Sequence, residues 1–135
     1  MSAVFDASVV VKWFLDDPLA DAARDARLAF RPAVAPDLMI FEAANAFRRY
    51  VVQGELQPDA ATENLSVTRE VVELFDHAPL LDEAFSLSCR LNHSMTDSLY
   101  AVLARRLNLP LVTADGKLAR ELASLDGLDI RMIGS

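Results

Sequence analysis

The stretch AVFDAS at residues 3–8 decides the fold, because three apolar residues are followed by an acid and then by a helix-like run. Its apolar part is typical of a short buried strand, and Asp6 would emerge at the carboxyl end of that strand. The same order returns at LPLVTAD, residues 109–115, which ends on Asp115. Short apolar strands that alternate with helices predict a mostly parallel sheet covered on both faces. Active sites in such folds gather at the carboxyl ends of strands.

The rest of the chain continues this α/β pattern. Strands are predicted at Ala3 to Phe5, Ala33 to Ala35, Leu109 to Thr113 and Asp129 to Ile133. Helices are predicted at Ser8 to Leu15, Leu19 to Ala29, Asp37 to Gln53, Pro58 to Phe75, Asp82 to Leu91, Thr96 to Leu107 and Gly116 to Ala123. Because 135 residues contain no repeat and no Gly/Ser linker, we expect a single domain over residues 1–135.

The composition predicts a soluble, cytoplasmic protein that does not enter a membrane. The single Cys89 has no partner for a disulfide, which favours a reducing compartment, and we expect this side chain to fill the core. The first residues, MSAVFD, reach an acid too early for a signal peptide. No apolar run approaches the roughly 20 residues that cross a bilayer.

The charge limits how this chain would meet nucleic acid. A formal net charge of −7 argues against binding through a broad basic surface, because release of counterions from phosphates needs Lys and Arg. Either nucleic acid is not the ligand, or cations other than side chains contact it. The hydrophobic content of 53% is high for so short a chain, so some apolar surface is expected to meet a partner.

Four acids are candidates for a site: Asp6, Glu42, Asp97 and Asp115. Each also has a plainer explanation. Asp6 and Asp115 follow strands, where an Asp is often only a helix cap worth about 1 kcal/mol. Asp97 lies in a first helical turn, where its charge suits the helix dipole. Glu42 shares a helix face with Asn45, and that face is either solvated or the wall of a cleft.

Convergence of these acids would require a cation. If they meet within about 5 Å at an effective dielectric near 20, each close pair repels by roughly 3 kcal/mol. Half of the six pairs would then total about 10 kcal/mol, which is comparable to the stability of a domain. Ligand sets made only of oxygen favour hard ions such as Mg²⁺. Two His, one Cys and no zinc-ligand spacing argue against zinc.

These residues resemble the PIN domain family and, within it, the VapC-type toxins of bacterial type II toxin-antitoxin modules. The resemblance runs nearly the whole chain, and the order and spacing of its segments are specific. Its segments are VFDASVVVKW at 4–13, EAAN at 42–45, TDSLYA at 96–101 and LVTADGKL at 111–118. One departure is RLNHSMT at 90–96, which replaces the Gly and Tyr commonly seen before the third acid. His93 in this segment is either a rim residue that contacts RNA or an ordinary loop residue.

The resemblance implies a three-layer α/β/α sandwich with a mostly parallel sheet, and an endoribonuclease that cuts tRNA or rRNA with a metal-activated water. It implies Mg²⁺ or Mn²⁺ as cofactor, a cognate antitoxin, a homodimer, and DNA contact only through the antitoxin. The implied catalytic and metal-binding residues are Asp6, Glu42, Asp97 and Asp115. The implied supporting groups are Ser8, Asn45 and Thr113, which would orient carboxylates or waters.

A partner surface is predicted beside the first helix, which is apolar almost all round. We expect Trp13 and Phe14, with Phe41 or Phe47, to form a groove for an amphipathic antitoxin helix. The alternative is that this helix is buried on two sides.

Other functions stay open at this point. A phosphoacceptor receiver domain also places Asp residues at strand ends around Mg²⁺, but it expects an adjacent acid pair near the first strand. A phosphatase needs a second Asp two residues after Asp6, where Ser8 stands. A PIN fold that only binds, without catalysis, would keep the architecture and lose the chemistry.

Overall fold

The computed structural model describes residues 1–134 and contains five strands and seven α-helices. The strands are β1 (Ala3–Phe5), β2 (Ala33–Pro36), β3 (Val72–Phe75), β4 (Leu111–Thr113) and β5 (Ile130–Met132). The helices are α1 (Ala7–Val10), α2 (Ala20–Ala29), α3 (Met39–Val52), α4 (Pro58–Val71), α5 (Leu81–Leu91), α6 (Met95–Leu107) and α7 (Gly116–Leu122). Within these residues, no helix combines the length and the apolar character that crossing a membrane requires.

The five strands form one parallel sheet in the order β3-β2-β1-β4-β5. From β1 the chain moves outward to β2 and β3, then returns across the sheet to β4 and β5. Since crossovers between parallel strands are right-handed, the two directions place their helices on opposite faces. The predicted three-layer α/β/α class is therefore confirmed. Strand order reverses between β1 and β4, and such a reversal opens a crevice at the carboxyl ends of the strands.

The core explains why these strands are short and apolar. All three residues of β1 and of β4 are buried, and β1 lies between β2 and β4 at the centre of the sheet. Tyr100 and Val102 of α6 are completely buried, and α6 packs against β1, β2 and β4. The centre of the sheet is thus covered and rigid, and it fixes the positions of the residues that follow β1 and β4.

The sequence-based prediction missed one strand. Residues 72–75 were expected to continue the helix from Pro58 to Phe75, but the helix ends at Val71 and Val72–Phe75 forms β3. β3 pairs with β2, with Val72 beside Ala33 and Phe75 beside Pro36. This pairing joins segments far apart in the chain, so local periodicity gave no sign of it.

The structure decides between the two environments left open for Trp13 and corrects the one expected for Cys89. Trp13 is buried, its indole Nε1 donates to the carbonyl of Ala23 at 3.0 Å, and its ring meets Phe5 edge to face at 5.4 Å. Trp13 is therefore a core residue and offers no surface to a partner. Cys89, expected in the core, is exposed on α5 because Ala84 and Leu87 form the buried face of that helix.

Candidate active site

The four predicted acids line one cavity of about 370 Å³ at the carboxyl ends of β1 and β4. Asp6 directly follows β1, Glu42 is in the first turn of α3, Asp97 is in the first turn of α6, and Asp115 precedes α7. Four separate elements thus bring carboxylates from distant parts of the chain to the place where the strand order reverses. Asn45 and Ser8 line the same cavity.

Asp6 is the most buried of the four acids, with 6% of its surface exposed. Two hydroxyls donate to its Oδ2 atom, that of Ser8 at 2.8 Å and that of Thr113 at 2.9 Å. Each hydroxyl also accepts a backbone N–H, from Ala114 at 3.0 Å and from Asp115 at 3.0 Å. The loop after β4 therefore fixes the orientation of a carboxylate that follows β1.

Glu42 is joined to the same region by a buried tyrosine. The Tyr100 hydroxyl donates to Glu42 Oε1 at 2.6 Å and accepts the backbone N–H of Ala7 at 3.3 Å. One fully buried phenol on α6 thus connects α3 to the segment beside Asp6. Sequence reasoning assigned no role to Tyr100, and its only signal was a large polar aromatic three residues after Asp97.

Asp97 and Asp115 both take part in helix starts. The backbone N–H of Asp97 donates to Ser94 Oγ at 3.1 Å, which caps α6. Oδ1 of Asp115 accepts from Lys117 N at 3.0 Å and Leu118 N at 3.3 Å, which caps α7. Capping is therefore real at Asp115, and this acid also lines the cavity. The two interpretations weighed from the sequence coexist.

The environment of the cavity disfavours the ionised form of three of its carboxylates. Burial raises the pKa of Asp6, with a smaller contribution from the charge of Asp115. Burial raises the pKa of Glu42 to about 7, and the charges of Asp6 and Asp97 add to the effect. Burial and the charges of Asp6, Glu121 and Asp115 raise the pKa of Asp97. Within residues 1–134, no Lys or Arg forms an ion pair with any of the four acids.

The four acids share one cavity, but they are not packed into a tight cluster. Among the described residues, no three of the four have carboxylate oxygens all within 4.8 Å of one another. The four carboxylates therefore do not form a cluster as tight as 4.8 Å. Mg²⁺ usually takes only one or two carboxylates directly and keeps several waters. The candidate ligands in this lining are carboxylate, hydroxyl and amide oxygens, with no His or Cys among the lining residues, which fits such an ion and does not fit zinc.

A further acid, Glu121, lies beside the cavity and had no role assigned from the sequence. Glu121 on α7 lies near Asp97, and its carboxylate is 3.5 Å from His93 Nδ1 and 3.8 Å from Lys117 Nζ. The side chain of His93 is only 9% exposed, so this residue packs against α7 and is not an open rim contact. The cavity is also lined by Arg49 and Tyr50, to which sequence reasoning assigned no role, and by Lys12, which was expected either to contact phosphate or an acidic neighbour or to be a solvated side chain.

The predicted aromatic groove is largely absent. Phe47 is 1% exposed and packs edge to face against the half-buried Phe14 at 5.9 Å. Phe47, like Trp13, is therefore a core residue, because the apolar face of α3 lies against the first helical segment. Phe41 differs, with 77% of its surface exposed beside a separate apolar cavity of about 380 Å³.

Comparison with known proteins identifies the family to which this fold belongs. The profile of the PIN domain matches residues 3–122. The chain belongs to the PIN domain family. Ribonuclease VapC12 of Mycobacterium tuberculosis is 34% identical to this PIN domain over 121 residues, which cover 87% of the chain and 89% of that protein. The predicted resemblance to PIN-domain ribonucleases of the VapC type is therefore confirmed.

Solved structures show the same fold at lower identity. VapC20 of Mycobacterium tuberculosis, described as a sarcin-ricin loop cleaving toxin, has a TM-score of 0.74 and 16% identity to this PIN domain. The match covers 95% of this chain and 99% of that one. A toxin-antitoxin complex from Klebsiella pneumoniae contains a chain with a TM-score of 0.68 and 18% identity, and the match covers 94% and 95% of the two chains.

Proposed function

We propose that this PIN domain is the Mg²⁺-dependent endoribonuclease toxin of a toxin-antitoxin module. The observation that carries the proposal is that four acids from four elements line one cavity, where burial and mutual repulsion raise the pKa of three of them. Within residues 1–134, no Lys or Arg forms an ion pair with them. A divalent cation is the simplest species that relieves this repulsion and also attracts an anionic phosphodiester. Names of relatives support RNA as the substrate.

The roles follow from the contacts of each residue. Asp6 is held by two hydroxyl donors and is therefore the most fixed candidate ligand. Asp97, Asp115 and Glu42 complete the oxygen set, and Mn²⁺ is a suitable substitute for Mg²⁺ there. When bound, such an ion supplies activation of the attacking water and stabilises the leaving oxygen. Glu42, with a pKa raised to about 7, is suited to accept a proton from water near neutral pH.

The supporting residues act on these acids. Ser8 and Thr113 keep Asp6 in one orientation by donating to the same oxygen. Asn45 lies on the cavity wall one helical turn after Glu42, where its amide is placed to contact water or substrate. Groups of this kind typically change metal affinity or activity by about 10 to 100-fold when they are removed.

A cognate antitoxin is the expected protein partner, as the complex from Klebsiella pneumoniae suggests by analogy. Phe41 is the one predicted partner residue that presents most of its ring to solvent. We place the antitoxin contact at Phe41, whereas Trp13 and Phe47 contribute only through the core. A cytoplasmic location, a homodimer and a tRNA or rRNA target are parts of the same proposal.

The test is RNA cleavage by the purified chain in Mg²⁺. Asp6→Asn and added EDTA should each abolish cleavage, whereas Asp37→Asn, at the end of β2 outside the cavity, should cleave as the parent does. Mapping of 5′ ends in cellular RNA after brief expression would identify the target. Cleavage that survives EDTA would refute the metal dependence. A PIN fold acting only as a binding module would show no cleavage by the parent protein itself.

A further inference from the structure

The acid cavity has basic and aromatic lining that the four acids do not explain. Lys12 follows α1, in the 3₁₀ turn Val11–Trp13, and its Nζ donates to the carbonyl of Ser8 at 3.1 Å. Arg49 and Tyr50 lie in the last turn of α3. All three line the cavity. Arg49 is exposed and Lys12 and Tyr50 are half-buried, so a ligand in the cavity can reach them.

The two cations do not neutralise the acids. Within the part of the chain that the structure describes, neither Lys12 nor Arg49 lies within 4.0 Å of a carboxylate. Nor does either cation contribute to the pKa of Asp6, Glu42 or Asp97. Neither cation is therefore paired with a carboxylate of residues 1–134, and both line the same cavity as the acids. A ligand that suits both the acids and the two cations carries an anionic group next to the position where a divalent ion would bind.

Tyr50 lies between the acid cavity and a second cavity. Its side chain lines both the acid cavity and a neighbouring cavity of about 470 Å³. The second cavity is lined further by Phe14, Leu15, Asp16, Glu55 and Leu56. An aromatic ring between two cavities is a natural platform for a flat ring, and unpaired nucleic-acid bases stack on Tyr side chains in this way.

We propose that Lys12 and Arg49 bind the phosphate next to the scissile one in single-stranded RNA, and that Tyr50 stacks the adjoining base. This inference rests on the proposed function, because it takes the acid cavity as the place of cleavage. A strongly acidic protein needs local cations to hold an RNA backbone, and these two basic side chains line the cavity itself. An RNA duplex keeps its bases stacked inside, so it cannot use Tyr50.

The experiment measures RNA binding without cleavage. Asp6→Asn is the background, and the probe is a fluorescein-labelled, mixed-sequence, single-stranded oligoribonucleotide followed by fluorescence anisotropy. Arg49→Ala should weaken binding about tenfold, as expected for a charged hydrogen bond, and should reduce the salt slope by about 0.7, the value for one phosphate of a single strand. Lys12→Gln should behave similarly. Arg48→Ala is the matched control, because Arg48 precedes Arg49 on α3 and lies outside the cavity.

Tyr50 has a different signature from the cations. Tyr50→Ala should weaken binding about tenfold without changing the salt slope, and Tyr50→Phe should bind as the background does. The same sequence annealed into a duplex should bind more weakly. Equal effects of Arg48→Ala and Arg49→Ala, equal binding of duplex and single strand, or no binding of the single strand at all would overturn the subsite.

Failure of the proposed function gives a different experimental result from failure of the RNA-binding subsite. If Asp6→Asn still cleaves RNA, the acid cavity is not the place of cleavage, and degradation of the probe in the anisotropy sample reports this directly. Arg49→Gln serves as a second neutral variant, and thermal melting confirms that each variant is folded. In the cleaving protein, Arg49→Ala should raise KM about tenfold and leave kcat nearly unchanged, because the residue contacts a phosphate that does not react.

Discussion

Two acidic clusters lie along the same edge of the sheet, and they differ in almost every other respect. The inner cluster, at the ends of β1 and β4, is the cavity of Asp6, Glu42, Asp97 and Asp115. The outer cluster, at the ends of β2 and β3, contains Asp37, Asp76 and His77, whose ligand atoms all lie within 4.8 Å of one another. By distance alone, the outer cluster is the better metal site.

The partners of each carboxylate reverse this ranking. In the outer cluster, Asp37 Oδ1 is 2.9 Å from His77 Nδ1 and accepts the His77 backbone N–H at 3.3 Å. Asp76 accepts the Ala78 N–H at 3.0 Å. These side chains are 41% to 69% exposed, so water and hydrogen bonds already satisfy their charges. In the inner cluster, burial disfavours the charges, and paired cations are absent from the described residues. Unsatisfied charge, more than proximity, therefore marks the candidate site.

Neutralising one acid in each cluster tests directly which of the two clusters binds the metal. Asp97→Asn should abolish Mn²⁺ binding by isothermal titration calorimetry and lower RNA cleavage about a hundredfold or more. Asp76→Asn should leave both unchanged. The reverse pattern would place the metal at the outer cluster and refute the argument from burial.

A second prediction concerns the hydrogen bond from the buried Tyr100 hydroxyl to Glu42 in the inner cluster. Tyr100→Phe removes the donor to Glu42 Oε1 and should lower Mn²⁺ affinity about tenfold, while thermal melting shows a folded protein. If Tyr100 acts through Glu42, the double variant with Glu42→Gln should bind Mn²⁺ no more weakly than Glu42→Gln alone. Additive losses would show that Tyr100 has only a structural role.

A third prediction follows from the raised pKa of Glu42. Its pKa rises from 4.5 in the unfolded chain to about 7 in the folded protein, so the folded state binds more protons between these values. Stability without divalent ions should therefore fall as pH rises from about 4.5 to 7. Calorimetric melting in EDTA measures this fall, and Glu42→Gln should make it smaller. A stability that rises across this window in the parent and falls in the variant would contradict the assignment.

The smallest expected effect concerns the outer cluster. His77→Ala removes an exposed pair with Asp37, in which the side chains are 48% and 41% exposed. Such pairs contribute about 0 to 1 kcal/mol, so the free energy of unfolding in urea should change by less than about 1 kcal/mol. A larger loss would show that the outer cluster holds β2 and β3 together.

Sequence reasoning was strongest where local order decides the structure. A short apolar run followed by an acid located β1 and β4, and four segments resembled the PIN family in their order and spacing. It failed at Val72–Phe75, which lies directly after a helix and becomes a strand only because β2 is beside it. It also failed at Trp13 and Phe47, because the packing of helix on helix decides which aromatic side chains remain exposed.

The sequence by itself determined the fold class, the family and the identity of the four acids, because periodicity, turn residues and motif order are local properties of a chain. Only the tertiary structure decided that Tyr100 holds Glu42, that Lys12 and Arg49 stay apart from the acids, and that Phe41 alone of the predicted partner residues presents most of its ring to solvent. Burial and charge coupling depend on distances between segments remote in the chain. These distances are set by the order of strands in the sheet, which no local pattern encodes.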